Sequence, residues 1–131
     1  MPAGDSNVTN LVASGAIVSS ADALQLLSAD GVITLPSSVG VVKTVVITKG
    51  SAAALTLAAP VAGAYGTGDD GKIIMVFSET AFAHAITCPQ GFNRKGSSGT
   101  ATASAAANNS ITLVARNGQW DVMTNVNFTL A

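Results

Sequence analysis

Ile111-Thr112-Leu113-Val114-Ala115-Arg116-Asn117-Gly118-Gln119-Trp120-Asp121-Val122-Met123-Thr124 is the stretch that decides the fold. Asn-Gly is the preferred two-residue hairpin turn, because both of its positions need φ > 0. On each side runs a segment of β-formers in which polarity alternates. The turn then sets the register. Ala115 faces Trp120, Leu113 faces Val122 and Ile111 faces Thr124, all on one mostly apolar face. Arg116–Gln119 and Val114–Asp121 lie on the other, more polar face. Pattern and turn chemistry agree, as they must in a hairpin that forms.

Moving outward, the same grammar recurs. Val41–Thr48 (VVKTVVIT) is almost wholly β-branched and is the best strand by propensity. Lys72–Phe77 (KIIMVF) is apolar on both faces, so it should be central and covered on both sides. Val32–Leu35 reads as a strand ended by Pro36, which cannot donate to a ladder. Ala52–Ala58, Ala81–Thr87 and Asn125–Leu130 are further strands, and Val8–Val12 and Ala16–Ser19 are short ones broken at Gly15. Ser20–Ala29 has two readings. Ala21, Leu24 and Leu27 fall at helical spacing behind a Ser20 cap, but the segment also fits a strand before an Asp30-Gly31 turn. Its β surroundings favour the strand. Val61–Asp70 is a glycine-rich loop and Pro89–Gly99 a polar one. Gly99–Asn109 (GTATASAAANN) is a loop, or a strand whose neighbour approaches closely. Ala23-Leu24-Gln25-Leu26 echoes Ala54-Leu55-Thr56-Leu57, too faintly to count as a repeat. The expectation is an all-β chain: a compact sandwich or jelly-roll-like domain of about eight or more short strands with at most one short helix. Residues 1–10 would form an N-terminal arm and 11–131 a single β domain.

Composition narrows the function. The chain has 131 residues, enough for one domain that buries a core without disulfides. Only 10% of residues are charged, against about a quarter in an ordinary soluble chain. The surface must therefore be built from Ser, Thr, Asn and Gly. A formal net charge of −1, with six scattered cations, excludes a polyanion-binding surface. One cysteine excludes an internal disulfide, and one histidine removes most metal and triad chemistry. No apolar run approaches the ~20 residues of a membrane helix. Met1–Asp5 lacks the basic start and apolar core of an export signal, so synthesis in a cytoplasm, with Cys88 reduced, is expected. Weak self-repulsion suits a protein that packs against copies of itself or a partner.

Several motifs resemble chemical sites. Gly66-Thr67-Gly68-Asp69-Asp70-Gly71-Lys72 fits the start of a phosphate-binding loop, but Ile73 stands where Ser or Thr should hold Mg²⁺. A strand also follows where a helix N-terminus is needed. Asp69 and Asp70 could offer oxygens to a hard cation; the plainer reading is a turn whose carboxylates bond their own backbone. Gly4-Asp5-Ser6 resembles a nucleophile block. The sole histidine, His84, lies in an apolar strand with no Asp placed to hold it. Cys88 reads as an inert, partly buried thiol. The Asn-x-Ser/Thr sites at Asn7, Asn108 and Asn127 mean little without export. Trp120 could stack on a sugar, or plug the end of a sandwich. Arg94-Lys95, near Phe92, is too small a cluster for nucleic acid.

Gly31-Val32-Ile33-Thr34-Leu35-Pro36, Leu55-Thr56-Leu57-Ala58-Ala59-Pro60 with Gly63, and Asp69-Asp70-Gly71-Lys72-Ile73 form a recognisable series. It continues through Ala83-His84-Ala85-Ile86-Thr87, Ser110-Ile111-Thr112-Leu113 and Asn117-Gly118-Gln119-Trp120. In these strings the chain resembles the small β-rich decoration and head-fibre proteins of tailed bacteriophages, over roughly Ala23 to Val122. Similar strings occur in phage tail-fibre and receptor-binding domains.

The resemblance implies a homotrimer on the outer surface of a virion capsid, at three-fold or quasi-three-fold points. Its partner there would be the major capsid protein. The N-terminal arm, with Pro2, Ala3, Gly4, Asp5, Ser6, Asn7 and Val8, would contact the shell. It brings no catalytic residue, cofactor, metal, nucleic acid, membrane or small-molecule substrate, and no enzymatic activity is expected. On the alternative, a fibre or adhesin domain, Trp120, Tyr65 and Arg94-Lys95 would meet a host-surface glycan.

Overall fold

A computed structural model of the chain describes residues 23–93 and 99–131. Val8–Val12, Ala16–Ser19 and the 1–10 arm, with its expected capsid contacts Pro2 to Val8, lie outside the described residues. So does Arg94-Lys95. The described strands are β1 (Leu24–Leu27), β2 (Gly31–Ile33), β3 (Val42–Ile47), β4 (Ala54–Leu57), β5 (Ile73–Ser78), β6 (Ala85–Thr87), β7 (Thr100–Ala103), β8 (Asn109–Arg116), β9 (Gln119–Val126) and β10 (Phe128–Leu130). Ser20–Ala29 resolves to the strand β1 within its described part. Gly99–Asn109 divides into β7, a turn, and the first residue of β8.

Two five-stranded sheets face each other, in the orders β1-β3-β5-β8-β9 and β10-β7-β6-β4-β2. The sandwich is present, and its connectivity is a winding one. From β1 to β6 the chain alternates between sheets and lays each strand parallel to the one before it in the same sheet. Three coils result, β1–β2, β3–β4 and β5–β6. Antiparallel pairs follow: β8 and β9 complete the first sheet, β7 and β10 the second. β1–β6 do not follow the antiparallel Greek-key path of a jelly roll; their same-sheet neighbours are parallel, and each coil supplies the crossover that parallel strands need. The echo of Ala23–Leu26 in Ala54–Leu57 is not the coil repeat, since β1 and β4 lie in opposite sheets.

Period-two patterning explains the core. Val45 and Ile47 of β3, Ile74 and Val76 of β5, and Ile111 and Leu113 of β8 point inward and are buried. They meet Ile33, Leu55, Leu57 and Ile86 from the second sheet. Each such side chain contributes about 1.5–3 kcal/mol on full burial. Ala101 and Ala103 of β7 are small because Phe128 and Trp120 occupy the same core. Lys43 is also on the inward side of β3 and buried, its Nζ donating to Thr34 Oγ1.

The coils are joined at one end by stacked corners. Thr48 N–H donates to Leu27 O at 2.9 Å and Glu79 N–H to Ile47 O at 3.0 Å, carrying the ladder past the strand ends. Asp30 accepts from Lys49 Nζ at 2.6 Å and from Ala54 N–H at 2.9 Å, tying the first corner to the second.

The decisive hairpin is there, with Asn117 at φ 47° and Gly118 at φ 84°. Arg116–Gln119, Ala115–Trp120, Val114–Asp121 and Leu113–Val122 pair as expected. The next expected pair does not form. A bulge at Thr112/Leu113 puts Thr124 opposite Thr112, and Ile111 opposite Asn125. The cause lies beyond the strand. Asn125 is held by Phe128, whose N–H it accepts and whose carbonyl it donates to, both at 2.9 Å. The extra residue, Met123, is absorbed in the strand and left exposed.

β5 is central, as its sequence demands, but it is not covered on both sides by the described residues. Ile74, Val76 and Ser78 are buried inward, whereas Ile73, Met75 and Phe77 look outward and remain half-exposed. The whole outer face of that sheet shares this character. Register aligns Leu26–Val46–Phe77–Ser110–Val126 in one row, and Leu24–Thr44–Met75–Thr112–Thr124 in the next. A third row reads Val42–Ile73–Val114–Asp121. The outer face of the second sheet differs: its rows are Val32–Thr56–Thr87–Thr100 and Ala54–Ala85–Thr102–Thr129.

Candidate functional site

His84 sits at the third corner, buried, between β5 and β6. Its Nδ1 accepts from Ala53 N–H at 3.1 Å, and its Nε2 lies 2.9 Å from Thr80 Oγ1. The Thr80 hydroxyl is committed to Lys49 O at 2.7 Å, so Nε2 carries the ring proton and donates it. Burial holds the imidazole below its ordinary pKa; the bond with Thr80 opposes this, and the Lys49 charge adds to it. A neutral ring with both nitrogens engaged joins the second coil to the third. It cannot act as a base towards a substrate, and among the described residues no Asp or Glu bonds it.

The Asp69-Asp70 loop is spent on itself. Asp69 accepts Val61 N–H at 2.7 Å and pairs with Lys72 Nζ at 2.7 Å. Burial works against its charge, and these partners outweigh it, leaving its pKa below the usual value. Asp70 accepts Asn117 N–H at 2.7 Å, Tyr65 N–H at 2.5 Å and Gly66 N–H at 3.2 Å. Those amides, Asn117 first, lower its pKa. The loop is thereby fastened to the hairpin turn. Lys72 runs into a strand, not a helix, so the phosphate-loop pattern has no anion site behind it. Among the described residues no cluster of His, Cys, Asp and Glu has the grouping of a metal site.

Trp120 is fully buried, with its Nε1–H donating to Ala58 O at 2.9 Å. It plugs the sandwich and offers no face to a sugar. Phe92 was expected in a polar loop beside Arg94-Lys95; it is buried and bridged to Trp120. Asn93 N–H donates to Trp120 O at 2.7 Å and Asn93 Oδ1 accepts Val122 N–H at 2.8 Å, so residues 92–93 line the edge of β9. Tyr65 is 70% exposed, alone of the aromatic pair the glycan reading requires. Cys88 is buried, which raises its pKa and leaves the thiol unreactive. Ser6, the nucleophile of the Gly4-Asp5-Ser6 block, lies outside the described residues.

The described residues with chemical potential thus converge on no common pocket. A hollow of about 490 Å³ lies on the outer face of the first sheet, lined by Val46, Phe77, Ser78, Glu79, Asn108 and Ser110. Glu79 supplies its one charge. What the molecule presents instead is two broad sheet faces with few charges: one predominantly apolar, with Glu79 at its rim, and one of hydroxyls and methyls. The Arg116–Asp121 ion pair stands at the hairpin corner of the apolar face. Sequence reasoning missed this face as a unit, although the two-sided apolarity of Lys72–Phe77 was its signal. It also missed Thr80, Asp30 and Lys43, whose roles depend on partners distant in the chain. No family model, curated protein or solved structure matches the chain.

Proposed function

We propose that the protein is a structural component of a phage virion: a homotrimer that binds the outer capsid surface and clamps neighbouring subunits of the major capsid protein. The observation that carries this reading is the pair of broad, sparsely charged sheet faces on a molecule whose His84, Cys88, Asp69 and Asp70 are consumed by the fold. The phage resemblance of its sequence points the same way. Uncharged contacts keep their strength at salt concentrations that screen ion pairs. A protein that binds across subunit boundaries only in the expanded shell stabilises that shell by mass action. Pro2 to Val8 form the contact segment with the shell.

Co-sedimentation with parent capsids, in procapsid and expanded forms, tests the reading. Saturable binding near one trimer per three-fold site, on expanded shells only, is the expected result. Absence of binding to both forms refutes it and directs the search to host-surface glycans.

A further inference from the structure

The outer face of the β1-β3-β5-β8-β9 sheet poses a physical problem that the described residues leave open. Its central strand β5 turns Ile73, Met75 and Phe77 away from the core, and at its margins Leu26 is 63% and Val126 49% exposed. Five strands about 4.8 Å apart and three outward rows about 7 Å apart give a patch of roughly 24 by 20 Å, on the order of 500 Å². Nine of its fourteen outward positions are apolar, and the largest apolar patch of a soluble monomer, typically about 300–600 Å², is often functional.

We infer that this face is where copies of the chain associate, outer sheet against outer sheet, with Met75 at the centre of the contact. Three observations select a second copy as occupant. The face carries few charges, Glu79 at the end of β5 and the Arg116–Asp121 ion pair at the hairpin corner, both at its rim, so its centre has nothing with which to choose a charged partner. A like apolar face is its natural complement. Two such faces bury on the order of 1,000 Å² together, the lower threshold for a specific interface. Finally, the opposite sheet presents Thr56, Thr87, Thr100, Thr102 and Thr129, a surface water already satisfies. The asymmetry marks one side for protein and the other for solvent. This rests on the proposed self-association and names its face: one face-to-face pair is two-fold, and a trimer requires three such faces gathered about one axis.

Sedimentation equilibrium of the full chain at about 10–100 µM is the test, with far-UV circular dichroism to report the fold. Wild type should sediment as a multiple of 12.9 kDa. Met75→Glu should shift it to a single chain. Val126→Asp, at an exposed edge position that the fold tolerates, should weaken association at least 10-fold and decides the matter if Met75→Glu unfolds. Thr56→Glu, on the opposite sheet, should leave the mass unchanged. A wild-type mass of one chain would overturn the inference, as would full association of both face variants or dissociation by Thr56→Glu alone. A two-chain mass lost on Val126→Asp would support the face and refute the trimer. A three-chain mass without capsid binding would support the face and refute the decoration role.

Discussion

Trp120→Phe should lower stability by about 2–5 kcal/mol without changing the fold. The indole is fully buried and its N–H satisfies the Ala58 carbonyl at 2.9 Å. Phenylalanine keeps most of the apolar contact but removes the donor. Leaving a buried carbonyl unsatisfied costs about 1–3 kcal/mol. The lost ring volume adds about 1–2 kcal/mol of packing and cavity energy. With a urea dependence of about 1–3 kcal/mol per molar, the unfolding midpoint should fall by about 1–2 M. Trp120→Ala should cost about 3–5 kcal/mol from packing alone, a large share of the ~5–15 kcal/mol that holds a domain together. Urea titration followed by far-UV circular dichroism measures both, since each variant removes the single tryptophan. Wild-type emission should be blue-shifted and shielded from iodide. A Trp120→Phe midpoint within about 0.3 M of wild type, or tryptophan emission freely quenched by iodide, would refute the plug and reopen a stacking role.

Acid should weaken the stack of corners through His84. Its pKa is lowered in the fold, so the unfolded chain takes up the proton first. Stability is then full above the ordinary value near 6.5 and falls as pH drops below it, by up to ~1.4 kcal/mol per pH unit until the folded value is reached. Urea midpoints at pH 7.5, 6.5 and 5.5 should decline in wild type and stay level in His84→Gln; a level wild-type series would contradict the neutral ring. Gly63→Ala should destabilise by at least about 1–3 kcal/mol, because a Cβ there would stand 1.6 Å from the Thr67 carbonyl oxygen. Thermal unfolding reads that loss, and an unchanged midpoint would mean the loop is not built as described. Cys88 should react with a thiol reagent only as fast as the domain opens, so urea should accelerate labelling; rapid labelling of the native protein would place the thiol at the surface.

Much of the fold was legible because its signals are local. Asn117-Gly118 specified a turn, and the alternation on either side specified which residues face inward. Val41–Thr48 and Lys72–Phe77 announced themselves through β-branched content. The winding path was not legible, because the coils differ in length: Leu24 pairs with Thr44, and Thr44 with Met75. No fixed period exists to detect. The bulge was hidden for a related reason, since Asn125 answers to Phe128 and not to the hairpin turn. Phe92 looked like part of a loop because its polar neighbours said so; its burial depends on Trp120, far along the chain. As for the candidate site, the residues that could do chemistry could be named, but their occupation could not. His84 needs Ala53 and Thr80, and Asp70 needs Asn117.

The bulge at Met123 bears on how far any assembly of this chain can grow. An unpaired sheet edge invites the addition of another strand, and a chain with two flat edges polymerises into fibres. Along β9 that invitation is withdrawn twice: residues 92–93 occupy the half near the turn, and the bulge disrupts the ladder in the other half. Growth by strand addition at that edge is blocked, so a fibre cannot propagate through β9.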